Sequence, residues 1–282
     1  MNIQWYPGHM AKTKRKIQED LKIIDIVIEL LDARVPISSK NPQIDSIIKN
    51  KQKIILLNKC DLSDPRVNEQ WGKHYKENNQ DYIFANSING NGIKDLINRI
   101  EHKMKPIIEK DKKRGRINRQ IKCMILGIPN VGKSTLINKM AGKASAKTGN
   151  IPGVTRSNQL IKVNKNILLL DTPGILWPKF EDQSIGIKLA WIGSIKDTIY
   201  DREEATLKLI SFLRVNYPKN LEERYDISID TSEEDLAIYE KIALKRGFIQ
   251  KGGLIDYART AEMLLDEVRK TKIGKISFDI PT

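Results

Sequence analysis

Gly127-Ile128-Pro129-Asn130-Val131-Gly132-Lys133-Ser134 is the stretch from which the rest of the chain is read. It meets the template G-x-x-x-x-G-K-[ST] at every fixed position. The apolar run 121–126 precedes it, and the helix-like Ser134-Thr135-Leu136-Ile137-Asn138-Lys139-Met140 follows. Glycines let the backbone curl until successive N–H groups face phosphate oxygens, and the helix adds the positive end of its dipole. In such a loop Lys133 reaches the β- and γ-phosphates of a nucleotide and the Ser134 hydroxyl sits on Mg²⁺. Asn130, Val131, Gly132 and Thr135 belong to the same phosphate cradle.

Outward from this loop, strands and helices alternate. Residues 11–21 form a short basic amphipathic helix, and 25–31 a buried strand ending in Asp32-Ala33-Arg34. A helix around 42–50 leads to a strand at 53–57, which delivers Asn58-Lys59-Cys60-Asp61 at its carboxyl end, where open α/β sheets bind ligands. A helix over 65–78, a strand over 82–85 ending in Asn86-Ser87, and a helix over 92–105 come next, the last with Ile93, Leu96, Ile97 and Ile100 on one face. A basic linker then precedes the phosphate-loop strand. After the loop's helix, a Gly/Ser/Thr-rich stretch covers 142–155, and strands at 158–163 and 166–170 run into Asp171-Thr172-Pro173-Gly174. The pattern predicts a doubly wound, mostly parallel α/β sheet over residues 1–176. Residues 177–282 change to helices: Asp201…Glu204 and Thr231…Glu234 have capping-box spacing, Gly247 stops a helix, and 256–269 repeats at helical intervals. This is an all-α second domain.

Composition narrows the class. Hydrophobic residues at 40% and charged residues at 30% suit a soluble globular chain. No apolar stretch approaches the ~20 residues that span a bilayer, and the opening Met-Asn-Ile-Gln-Trp lacks the order of a secretion signal. Cys60 and Cys123, at the ends of predicted strands, are expected as reduced thiols in a cytoplasm. The net charge of +14 points to a polyanionic partner. Residues 207–282 hold 13 basic and 13 acidic side chains, so the whole excess lies before them. It is densest over 99–122, with 10 basic against 3 acidic residues. That run reads as a solvated linker or as a phosphate-contacting surface; steering onto RNA favours the second.

Asn58-Lys59-Cys60-Asp61 is a weak signal alone and a strong one in a chain that also carries a phosphate loop. The Asp61 carboxylate can accept from guanine N1–H and from its 2-amino group, both of which adenine lacks. A site built to bond such groups discriminates by roughly 10⁴–10⁵. Lys59 is expected to lie along the base, and Asn58 to tie the base segment to the phosphate loop. Asn86-Ser87 either supports the base from its other edge or is simply a turn. Asp171 reads as a water-mediated Mg²⁺ ligand, the Gly174 N–H as a γ-phosphate sensor, and Thr155 as the loop threonine that completes the metal shell.

These parts match translation-factor-like GTPases in a shifted order, with the base-reading motifs first and the phosphate loop and switches after: the G domain is circularly permuted. A sheet with neighbouring termini tolerates this, because the pocket needs only strand ends that meet in space. The second switch then leads directly into the helical domain, so loss of the γ-phosphate contact is expected to shift that domain.

With Trp5-Tyr6-Pro7-Gly8-His9-Met10, Asp32-Ala33-Arg34-Val35-Pro36, the permuted motifs and the helical tail, the chain closely resembles the ribosome biogenesis GTPase A (YlqF/RbgA) family over essentially its full length. The resemblance implies GTP and GDP as ligands, a role in late assembly of the large ribosomal subunit, binding to its precursor and ribosomal RNA in the GTP state, and release after hydrolysis. In such proteins the helical tail is taken as RNA-binding; its zero net charge here speaks against a purely electrostatic role. A cytoplasmic monomer without a membrane partner is expected. A GTP-gated RNA-binding placeholder with incidental hydrolysis is the alternative.

Ile175 follows Gly174 where many small GTPases carry a water-positioning glutamine. Isoleucine cannot orient water, and unassisted small-GTPase turnover is on the order of 10⁻⁴ s⁻¹ even with the glutamine. The large subunit is expected to stimulate it. The resemblance suggests His9 as the catalytic group, against the plainer reading of a histidine in a turn. Asn130 resembles the asparagine of potassium-activated GTPases and is a candidate K⁺ ligand, or else a loop-bracing amide. Arg34 and Arg156 are open alternatives as arginine fingers.

Overall fold

The computed structural model describes residues 10–116, 119–142, 160–170, 182–230 and 232–281. Two units divide them, one holding the described residues up to 170 together with 279–281, the other holding 182–278. The first is the expected α/β domain and the second the expected helical one. The sequence reading carries the helical segment through to 282, whereas 279–281 fold into the α/β unit.

The α/β unit begins with α1 (Met10–Asp20), β1 (Ile26–Asp32), α2 (Ile44–Ile48) and β2 (Gln52–Asn58). It continues with α3 (Pro65–Glu77), β3 (Tyr82–Ala85), α4 (Ile93–Lys113), β4 (Ile121–Gly127), α5 (Lys133–Ala141), β5 (Leu160–Lys162) and β6 (Ile167–Leu170). Every residue of β1 is buried, as expected of an interior parallel strand covered on both faces. The charge of Glu29, in mid-strand, is balanced by an ion pair to Lys53 at 2.9 Å.

The strand order is β3-β2-β1-β4-β6-β5, parallel throughout except for the antiparallel β5 edge. Counted from β4 instead of from the N-terminus, the same sheet reads 6-5-4-1-3-2. The phosphate-loop strand then stands in the middle, and the order reverses between β1 and β4. Doubly wound sheets bind their ligands at that reversal, beyond the carboxyl ends of the strands. The permutation is thus visible in the topology itself.

The permutation joint is α4. Its 21 residues, ~31 Å at helical rise, carry the chain from edge strand β3 past β2 and β1 to β4. The sequence reading ends this helix at 105 and places a linker after it. The helix instead continues through Pro106, which is exposed, to Lys113. Ile93, Leu96, Ile100 and Met104 form its buried stripe. Its far end is pinned by buried Asp111, which takes a guanidinium hydrogen bond from Arg119. Arg119 also binds Asp25, beside the start of β1. Most of the basic run is therefore a helix face, with Lys105, Lys110, Lys112, Lys113, Arg114 and Arg116 exposed.

The second unit comprises α6 (Gln183–Trp191), α7 (Arg202–Asn216), α8 (Pro218–Tyr225), α9 (Asp235–Lys245) and α10 (Tyr257–Arg269). Helix α7 is its centre, with Leu209, Ile210 and Leu213 fully buried. Asp201 caps it as expected, accepting from the Glu203 N–H (2.9 Å) and the Glu204 N–H (3.0 Å). The second spacing works differently: Glu234 is itself the N-cap residue of α9, and Thr231 lies outside the described residues. Gly247, at φ +66°, ends α9 as the sequence indicates. Buried Glu267 is held by the Tyr225 hydroxyl at 2.8 Å and by two bonds from Arg224. No helix among the described residues is long and apolar enough to cross a membrane.

Candidate nucleotide-binding site

The carboxyl ends of β1, β2, β3 and β4 meet at Asn58, the last residue of β2. Its side-chain amide donates to the Val131 carbonyl in the phosphate loop at 2.8 Å. Its side-chain oxygen accepts from the N–H and the hydroxyl of Ser87, at 3.0 and 2.8 Å, in the turn after β3. Its backbone carbonyl accepts from the Ala33 N–H, just past β1, at 2.8 Å. One buried residue thus joins four loops, and segments 73 positions apart in the chain are in direct contact.

Lys59 makes the second joint. Its backbone is left-handed at φ +60°, which costs a side-chain-bearing residue about 1–2 kcal/mol. The ammonium donates to the Asn130 carbonyl at 2.7 Å and pairs with Asp32 at 3.1 Å. Asn130 is left-handed as well, also at φ +60°, a conformation its short polar side chain tolerates. Asp32 lies at the end of β1 opposite Asn58 in the strand register and is fully buried. It accepts from Arg34 Nε at 2.9 Å and Nη2 at 2.8 Å. Burial by itself raises the Asp32 carboxyl, but Arg34 and Lys59 outweigh it and hold it well below the usual carboxylate range. Burial lowers the Lys59 ammonium, with Arg34 adding to the effect, while Asp32 and Asp61 oppose it.

Arg34, 2% exposed and committed bidentately to Asp32, is not placed to act as an arginine finger. Cys60 donates its N–H to the Ala85 carbonyl at 3.2 Å, and Leu62 closes the turn onto Lys59 at 2.9 Å. Asp61 stands half-buried in that turn and takes no hydrogen bond from any described residue. The Asn86 side-chain oxygen accepts from the N–H groups of Ile88 (2.8 Å) and Asn89 (3.1 Å), bracing its own turn. Ser87 alone of that pair bonds to Asn58.

The phosphate loop rests on β1, and a Cβ at Gly127 would come within 2.7 Å of the Leu30 carbonyl. Gly132, at φ +99°, is more constrained: a Cβ there would come within 2.4 Å of the Asn58 side-chain nitrogen. Lys133 is buried and opens α5, followed by half-buried Ser134 and Thr135. Among the described residues no cluster of His, Cys, Asp and Glu could hold a metal. The Ser134 hydroxyl in the first turn of α5 is a hard oxygen donor of the kind Mg²⁺ prefers. His9, Thr155, Arg156, Asp171, Gly174 and Ile175 lie outside the described residues. Asp32 was not singled out from the sequence as a member of the site. The signal available is an acidic residue at the carboxyl end of a strand that abuts the strand bearing Asn58.

The family described as a 50S ribosome-binding GTPase matches residues 122–237, beginning in the phosphate-loop strand. Over 281 residues the chain is 46% identical to ribosome biogenesis GTPase A of Bacillus pumilus, covering 100% of this chain and 99% of that one. Its identity to the protein of the same name from Priestia megaterium is 47% over 283 residues, covering 100% and 98%. A GDP-bound structure of YlqF superimposes with a TM-score of 0.68 at 26% identity, covering 95% of this chain and 99% of that one. A second YlqF structure, GNP-bound and from T. maritima, gives a TM-score of 0.66 at 27% identity, covering 96% and 98%.

The positive φ at Gly132 and its closeness to Asn58 predict that Gly132→Ala breaks the Asn58–Val131 joint. Nucleotide titration should show affinity reduced by at least tenfold, the size of about 1.4 kcal/mol. Unchanged binding would mean that this close approach is not required.

Proposed function

The chain belongs to the ribosome biogenesis GTPase A family, and on that footing we propose that it hydrolyses GTP to GDP and phosphate at this site, timing its stay on a precursor of the large ribosomal subunit. The single observation that supports the reading most is the Asn58–Val131 hydrogen bond. It brings a base-reading segment and a phosphate cradle to one place although the chain presents them in permuted order.

In this reading Asp61 accepts from guanine and Lys59 lies along the base, its ammonium anchored on Asp32 and the phosphate loop. Asn86 and Ser87 support the base segment from β3. The backbone of residues 130–135 and the Lys133 ammonium bind the phosphates. Water attacks the γ-phosphorus, the bond to the β–γ bridging oxygen breaks, and the leaving charge falls on GDP beside Lys133. GTPases of this class commonly use Mg²⁺, which neutralises charge on the β- and γ-phosphates when bound. Ser134, Thr155 and, through water, Asp171 would hold it. The Gly174 N–H reports the γ-phosphate, and His9 is the group assigned to the attacking water. Asn130 is the proposed K⁺ ligand.

The exposed cations at the end of α4, Lys105, Lys110, Lys112, Lys113, Arg114 and Arg116, support contact with ribosomal RNA. Glu109 is the one exposed acidic residue between them; Asp111 is turned inward. The protein works as a cytoplasmic monomer on this reading. The second reading, a GTP-gated placeholder in which turnover is incidental, rests on the same charged surface and uses the switch residues only to gate binding.

Four measurements test the proposal. Asp61→Asn should move preference from guanine towards xanthine nucleotides; retained tight GTP binding would remove Asp61 as the base reader. Co-sedimentation with large-subunit precursors should occur with a GTP analogue and fall away with GDP, while the particles accelerate turnover. His9→Ala should spare GTP affinity and reduce that accelerated rate. GTP-dependent pelleting with no acceleration of turnover favours the placeholder, and equal pelleting in both states would overturn both readings. Replacing K⁺ by Na⁺ should slow hydrolysis, and equal rates would dismiss Asn130 as an ion ligand.

A further inference from the structure

After the helical unit the chain re-enters the α/β unit at Asp279. Asp279 is 2% exposed. Its carboxylate accepts from the Ser38 N–H at 2.7 Å and from the Ser38 hydroxyl at 3.0 Å. Its carbonyl accepts from the Trp71 indole N–H at 3.1 Å, and its own N–H donates to the Arg34 carbonyl at 3.4 Å. Burying a carboxylate is costly unless hydrogen bonds replace the lost water, so Asp279 makes a specific demand on the loop it meets. That loop, 35–39, is drawn tight from within as well: the Ser39 hydroxyl donates to the Val35 carbonyl at 2.6 Å and accepts from the Asp32 N–H at 3.1 Å.

The same loop grows directly out of Asp32 and Arg34. Arg34 holds Asp32, and Asp32 fixes the Lys59 ammonium, which in turn holds the Asn130 carbonyl of the phosphate loop. Hydrogen bonds and ion pairs therefore run without a gap from the end of the chain to the nucleotide cradle. We propose that Asp279 is a positioning residue for nucleotide binding, clipping the 35–39 loop so that Asp32 keeps Lys59 in place. This rests on the reading of residues 58–61 as the base-binding segment. It has a topological corollary: the helical unit is spliced into the nucleotide domain between β6 and the clip, and residues 279–281 belong to that domain.

The test uses the full chain and a fluorescent GDP titration well below the thermal midpoint, with thermal stability measured in parallel. Asp279→Asn keeps the shape and removes the charge; Ser38→Ala removes one donor and is the milder variant. Asp279→Asn should weaken GDP binding about tenfold and Ser38→Ala about threefold, the range of the net contribution of single hydrogen bonds. In a Lys59→Met background the Asp279→Asn effect on affinity should largely vanish, since both act on one joint. A lowered midpoint with unchanged GDP affinity would overturn the proposal and leave Asp279 a stability residue. An affinity loss of the same size with and without Lys59 would overturn it too. Failure of the unmodified chain to bind GDP would instead bring down the base-site reading, and this proposal with it.

Discussion

The carboxamide of Asn58 is the constraint on which the nucleotide domain turns. A permuted chain has no covalent reason to bring its base-reading half against its phosphate-binding half. The sheet places β2 two strands from β4, and strand pairing alone leaves the loops at their ends free to diverge. Asn58 closes that gap because its side chain offers a donor and an acceptor at once, spent on Val131 and Ser87. An aspartate could not donate to the Val131 carbonyl. Gly132 is the complementary requirement, since only the absence of a Cβ lets the phosphate loop come so near.

Charge supports the same geometry from below. Asp32 serves two cations, Arg34 and Lys59, from a fully buried position. Such clusters contribute little net stability, yet removing one partner is expensive because the remaining charge is stranded, at roughly 3–5 kcal/mol. The Asp32 carboxyl, held low, stays ionised throughout the neutral range. Its stabilising contribution is present above the usual carboxylate pKa and is lost only as pH falls through its depressed folded value. Lys59 is thus locked in direction while burial lowers the pKa of its ammonium.

The strands were legible because parallel sheets demand apolar runs, and 121–126, 53–57 and 82–85 stand out as such with turn residues at their ends. The role of Asn58 followed from its position after a strand. The length of α4 did not, because Pro106 looks like a stop; the helix passes it on its exposed face and is secured by Asp111 and Arg119, a tertiary contact with no local signature. Asp279 was illegible for a similar reason. Nothing in Phe-Asp-Ile-Pro says that its partner is Ser38, 241 positions away. The second capping spacing misled because a three-residue interval also fits an acidic N-cap outside the helix, as Glu234 shows.

The place of β1 between β2 and β4 also bears on how the protein is made. Emerging N-terminus first, β1, β2 and β3 can pair in sequence, but one edge of β1 stays open until β4 arrives. The interval between residues 85 and 127 lasts about 2–8 s at ordinary rates of synthesis. Through those seconds a long apolar strand offers a free edge, the arrangement most prone to pairing with a stranger.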